Sequence, residues 1–162
     1  MAKPWIPLKP YSLYTGPALT RAAVEAAERE LGVALPESYV RTLERCNGGL
    51  MLEPVFRTPF GTTWAEDHFE VHALLGVGGR FGIDSTSDTS SDYLISEWEY
   101  PEIGIVLADT PSGGHDTVML DYRNAEPGRP SVVYVDEDRI PRKIADSFEE
   151  FAEGLTSDPG TE

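Results

Sequence analysis

The sequence predicts an α+β domain with an N-terminal helix pair, a largely antiparallel sheet and a C-terminal closing helix. Three observations carry this. Apolar residues recur at helical spacing between residues 20 and 46. From Leu50 the pattern shifts to short strand-like runs separated by turns, and Ser147-Phe148-Glu149-Glu150 opens a last helix. Strands that follow one another through short turns pair antiparallel, because parallel neighbours need long crossovers. With 162 residues the chain is long enough to bury a core of its own as one domain.

Pro4, Pro7, Pro10 and Pro17 fix φ and remove donors, so residues 1–17 are expected as an extended arm, with Trp5, Ile6 and Leu8 laid against the body. Thr20 offers an N-cap oxygen to a first helix whose stripe is Val24, Ala27 and Leu31, and Gly32 stops it. Pro36 suits the first position of a second helix, which carries Tyr39, Leu43 and Cys46 on one face and ends at Asn47-Gly48-Gly49. Leu50 to Phe56 and Phe69 to Leu75 read as strands. The run of Asp, Ser and Thr from Asp84 to Asp92 reads as a mobile loop. Ser90 or Ser91 then caps a short helix with Leu94, Ile95 and Trp98 on one face. Ile103 to Leu107, Thr117 to Tyr122 and Ser131 to Val135 follow as three strands, the first two joined by a turn through Thr110 to His115. The last helix starts at the capping box of Ser147 and Glu150, and its stripe is Phe148, Phe151 and Leu155. The domain is therefore expected over residues 18–155, with 156–162 a disordered tail.

Charge is unevenly placed. Residues 1–60 hold seven basic and six acidic side chains, whereas 61–162 hold six and twenty-two, for a net charge of −15. Such a field repels phosphate backbones, so direct nucleic-acid binding is not expected, and a basic partner is favoured; excess carboxylates also simply keep proteins soluble. The single cysteine, Cys46, allows no internal disulfide. No stretch approaches a membrane span, so a reducing, cytoplasmic setting without membrane insertion is expected.

Candidate chemistry is thin. His68 and His72 would share a helical face as metal ligands, but Phe69, Val71 and Ala73 alternate like a strand, on which Glu70 shares their side. Asp109, His115, Asp116 and Asp121 crowd one hairpin and could hold a metal or act as acid and base. Carboxylates beside a turn more commonly cap backbone amides, and Asp116 and Asp121 fall on opposite faces. Gly76, Gly78, Gly79 and Gly82 suggest a phosphate cradle, yet Phe81 stands where the dinucleotide spacing needs glycine and no apolar helix follows. Cys46 reads as core filler, and no serine lies in a nucleophile elbow. Neither a metal, a cofactor nor a catalytic residue is expected. The favoured site is Asp84, Asp88, Asp92, Glu97, Glu99 and Glu102 around Trp98 and Tyr100, an aromatic anchor inside a like-charged rim. The alternative is that Trp98 packs on the sheet and the carboxylates are merely solvated.

Glu30 to Tyr39 with Leu43 and Asn47-Gly48-Gly49, Ile103 to Asp109 with Gly113-Gly114-His115-Asp116 and Leu120-Asp121, and Ala145 to Phe151 occur in an order that resembles the SUKH superfamily. That superfamily includes fungal cell-wall synthesis regulators and bacterial proteins that neutralise toxins. The resemblance runs from about residue 18 to residue 155. It implies an α+β domain without known catalytic residues and, for bacterial members, an immunity protein against toxins that are often nucleases. In the family the turn between the hairpin strands is usually shorter, in asparagine and aspartate, whereas here Pro111 and Ser112 enter it, so the fold carries over more readily than any binding residue.

The expected function is thus a non-catalytic domain, monomeric or weakly homodimeric, that docks on a basic toxin. A scaffold acting through the arm and loop, and a metal-dependent hydrolase built on His68, His72 and the hairpin aspartates, are the alternatives.

Overall fold

The computed structural model describes residues 5–12, 14–62, 65–80, 82–85, 90–112 and 114–157. In chain order these form β1 (Leu8–Lys9), α1 (Arg21–Leu31), α2 (Glu37–Arg45), β2 (Gly49–Met51), β3 (Val55–Arg57), β4 (His68–Glu70), β5 (Ala73–Leu74), α3 (Ser91–Trp98), β6 (Gly104–Asp109), β7 (Thr117–Asp121), β8 (Ser131–Val135), β9 (Pro141–Ala145), α4 (Phe148–Gly154) and β10 (Leu155–Thr156). One antiparallel sheet runs β1-β2-β5-β6-β7-β8-β9 and a smaller one runs β10-β3-β4. The architecture is α+β with a closing helix, as the sequence implied.

Helix ends follow local chemistry. The Thr20 hydroxyl accepts from the Ala23 amide and Gly32 adopts φ 72°. Pro36 stands at the N-cap of α2, one residue earlier than expected. Ser147 accepts from the Glu150 amide, while the Glu150 carboxylate reaches the amide of Asp146 instead of that of Ser147.

Two expected strands are divided. Each of Leu50–Phe56 and Phe69–Leu75 bends and contributes to both sheets, as β2 then β3 and as β4 then β5. Pro54 offers no amide to continue a ladder. The bend is held where the Val71 amide donates to the Pro54 carbonyl at 2.7 Å and the Met51 amide to the His72 carbonyl at 3.0 Å. The sequence reading omitted β9, whose Pro141, Arg142 and Lys143 suit an exposed sheet edge better than an apolar strand pattern.

The core lies between the sheets and the α2 and α4 helices. Phe69 stacks on Tyr134 with centroids 4.3 Å apart, Phe56 meets Phe151 at 5.2 Å, and Tyr39 meets Phe148 at 5.4 Å. Tyr39, Phe69 and Tyr134 are fully buried, and the Tyr39 hydroxyl donates to the Leu75 carbonyl at 2.7 Å, so its polar end is satisfied.

The described parts of the arm and of the tail are built into the sheets further than expected. The arm supplies the edge strand β1, which pairs with β2; Ile6 is 1% exposed and its amide donates to Thr42 Oγ1. The Arg45 guanidinium lies 4.0 Å over the Trp5 ring. Thr156, assigned by sequence to the tail, pairs with Val55. Among the described residues no helix is long and apolar enough to cross a membrane.

Candidate functional site

The α3 helix is fastened at both ends to the sheet. Ser90 caps it by accepting from the Tyr93 amide. Ser91 is buried and its hydroxyl accepts from the Val106 amide at 2.8 Å, diverting a donor of β6 where its register with β7 shifts between Val106 and Ala108. At the other end Glu99 takes the left-handed conformation, φ 59° and ψ 37°, a position that favours glycine. The chain then turns inward, so Tyr100 is buried and its hydroxyl donates to the Gly114 carbonyl at 2.6 Å.

A single cation locks this corner. Arg139 donates to the carbonyls of Trp98 at 3.0 Å, His115 at 2.8 Å and Asp136 at 3.0 Å, and its guanidinium lies 4.7 Å over the Tyr100 ring. It ties the end of α3 to the β6–β7 and β8–β9 turns. Sequence reasoning passed over Arg139, because two of its backbone partners, the carbonyls of Trp98 and His115, belong to segments distant along the chain.

The carboxylates expected to form a site divide accordingly. Asp92, Glu99 and Glu102 converge with Ile95, Ser96 and Tyr100 on an open groove of about 640 Å³. All three are exposed, and among the described residues none has an ion-pair partner. Glu97 is exposed outside the groove. Asp84 lies apart, accepting from the Gly78 amide at 2.9 Å, and Asp88 falls outside the described residues. Neither aromatic ring protrudes as an anchor: Tyr100 is 5% exposed and half-buried Trp98 turns toward the β6–β7 hairpin. A side chain at Gly114, whose φ is 114°, would collide with that indole. The protruding aromatic on α3 is Tyr93, 42% exposed beside Asp92.

Beneath α3 the hairpin aspartates are set apart. Asp116 is 1% exposed and accepts from the hydroxyls of Thr110 at 2.5 Å, Ser112 at 2.6 Å and Tyr134 at 2.5 Å. These are side-chain hydroxyls, where the sequence reading expected backbone amides, and Ser112 of the unusual turn is among them. Burial first, then the Asp116 bond, pushes the Tyr134 phenol far above its ordinary range. Asp109 accepts from the Tyr14 hydroxyl at 2.9 Å, and burial raises its carboxyl above the ordinary value. Asp121 binds the Arg123 guanidinium at 3.0 and 2.8 Å.

The remaining motifs find structural places. The chain passes from the small sheet to the large one between His68 and His72, so the two do not share a strand face: His68 contacts Asp67 at 2.9 Å, and His72 lies edge-on to Tyr14. No group of three or more His, Cys, Asp or Glu side chains suited to an ion occurs among the described residues. The glycine segment packs on Asn47, whose amide donates to the Pro17 and Val77 carbonyls and whose oxygen accepts from the Val77 amide. Any side chain at Gly76 would strike Asn47. Half-buried Cys46 lies 3.3 Å from the Gly48 carbonyl.

The model of the SMI1 / KNR4 family (SUKH-1) matches residues 18–154. No curated protein matches the chain.

Proposed function

The chain belongs to the SMI1 / KNR4 family (SUKH-1), and from that membership we propose that it is a protein-binding domain, an immunity protein that docks on a basic toxin and neutralises it without catalysis. The observation that carries this reading is the convergence of Asp92, Glu99 and Glu102 on one groove, exposed and without internal cations among the described residues. Carboxylates left in water cost little to maintain and project a field over roughly one Debye length, about 8 Å at physiological salt. A cationic surface made to hold nucleic acid is complementary to that field, and the carboxylates would occupy the positions of phosphates. Steering of this kind accelerates encounter more than it deepens the final affinity.

The test pairs the chain with the basic domain of a toxin encoded beside its gene. Co-expression is expected to restore growth, and stopped-flow association is expected to slow steeply with added salt. An association rate indifferent to salt, or unchanged after reversal of the three groove carboxylates, defeats the proposal. The arm is less suited to act as a separate scaffold tether, since β1 and Ile6 are occupied within the fold.

A further inference from the structure

Between α3 and the β6–β7 hairpin lies a second cavity, of about 250 Å³, with Leu94, Trp98 and Val106 among its walls and Asp109 and Asp116 among its lining residues. Leu94, Trp98 and Asp109 are each only half-buried, so the cavity reaches the surface. Tyr100 lines both this cavity and the acidic groove, which makes them neighbours. We infer that the cavity is a pocket for a single lysine side chain presented by a basic protein partner.

The argument is one of complementarity. A lysine is an unbranched apolar stem with a cationic end, and it is held best where the stem meets hydrocarbon and aromatic surface and the ammonium meets acceptors. Leu94, Trp98 and Val106 supply the first. Asp109 supplies the second: its carboxylate is an acceptor-only group with several lone-pair directions, and it accepts from the neutral Tyr14 hydroxyl. Among the described residues no ion pair reaches it. Burial raises its carboxyl above the ordinary value, and a cation arriving beside it opposes that shift by favouring the ionised form. An ammonium with three donors fits better than a guanidinium with five, because Asp116 already receives three hydroxyl donors. The inference rests on the partner being basic, as proposed above, and adds the place where one of its residues enters.

The experiment uses n-butylammonium chloride as the probe, titrated at constant ionic strength into the ¹⁵N-labelled chain. Saturable shifts are expected at the Trp98 indole and the Leu94 and Thr117 amides, with millimolar affinity. Asp109→Asn is expected to weaken binding by about tenfold or more, the range expected when a buried charge pair is lost. Leu94→Trp, which fills the cavity from the helix side and leaves Asp109 intact, is expected to abolish it and covers the case in which the Asp109 variant misfolds. Absence of saturation, equal binding by Asp109→Asn, or tighter binding of n-butylguanidinium overturns the lysine pocket. A silent probe alongside salt-steep association of the toxin domain removes the pocket and leaves the groove reading standing. Salt-indifferent toxin association with the probe still held at Asp109 removes the groove reading alone.

Discussion

The Tyr14 hydroxyl donates to the Asp109 carboxylate at 2.9 Å and joins the N-terminal arm to the end of β6. Burial raises both groups, and the Coulombic effect of Asp109 lifts the phenol further. The folded state therefore holds the Asp109 proton more tightly than the unfolded chain does. Native protein binds more protons across that window, so this group's contribution to stability is greatest below the ordinary aspartate pKa, about 4, and is lost as pH rises through the raised folded value. Asp109→Asn keeps an acceptor for Tyr14 and removes the ionisation. Urea midpoints from acid to neutral pH should show the variant matching or exceeding the parent near neutrality, with a flatter profile. Tyr14→Phe is expected to cost about 1.5–3 kcal/mol at neutral pH, the usual range for a hydrogen bond to a charged group.

Arg139 should behave as a positioning residue for the α3 corner. Arg139→Ala leaves the Trp98, His115 and Asp136 carbonyls without their shared donor. The expected loss is about 2–4 kcal/mol in urea unfolding, with altered Trp98 fluorescence. Arg139→Lys should not restore it, because one ammonium cannot reproduce the planar fork that spans three segments. Full rescue by lysine would show that charge alone is needed at this position.

The arm makes a separate prediction. Ile6 is 1% exposed and β1 covers the edge of β2, so removing residues 1–10 uncovers apolar surface and a row of backbone groups. Ile6→Ala alone is expected to cost about 2–4 kcal/mol. A truncated chain as stable as the parent would mean that the arm contributes only contacts and no stability.

What could be read from the sequence divides by the range of the interactions. The caps at Thr20, Gly32 and Ser147 are chemistry within four residues and stand where local reasoning put them, and Ser90 is one of the two caps it offered for α3. Ser131–Val135 is a strand with the expected ends, because a run of valines with a tyrosine among them, β-branched and aromatic, suits a strand best. The division of residues 50–56 between two sheets could not be read this way: Pro54 signals an interruption, but the partner of its carbonyl is Val71. The site follows the same rule. Acidity around α3 was visible as composition, and the groove gathers Asp92, Glu99 and Glu102 from it. The inward turn of Tyr100 and the packing of Trp98 depend on Gly114 and Arg139, which lie 14 or more residues away.

Glu99 offers the sharpest separation of binding from folding. It occupies the left-handed position at the C-cap of α3, which costs a non-glycine residue roughly 1–2 kcal/mol, while glycine would lose about 0.5–1 kcal/mol through a freer unfolded chain. Glu99→Gly is therefore expected to stabilise the fold by about 0.5–1 kcal/mol on balance. The same change removes one of the three groove carboxylates, so association with a basic partner at low salt should slow several-fold, whereas Asp92→Asn and Glu102→Gln should slow it with stability nearly unchanged. Urea midpoints and stopped-flow rates on the three variants read the two quantities independently. A glutamate at a position whose backbone favours glycine is explained if its charge is used. If Glu99→Gly gains stability and binds the partner as fast as the parent, the groove carboxylates are ordinary solvated surface.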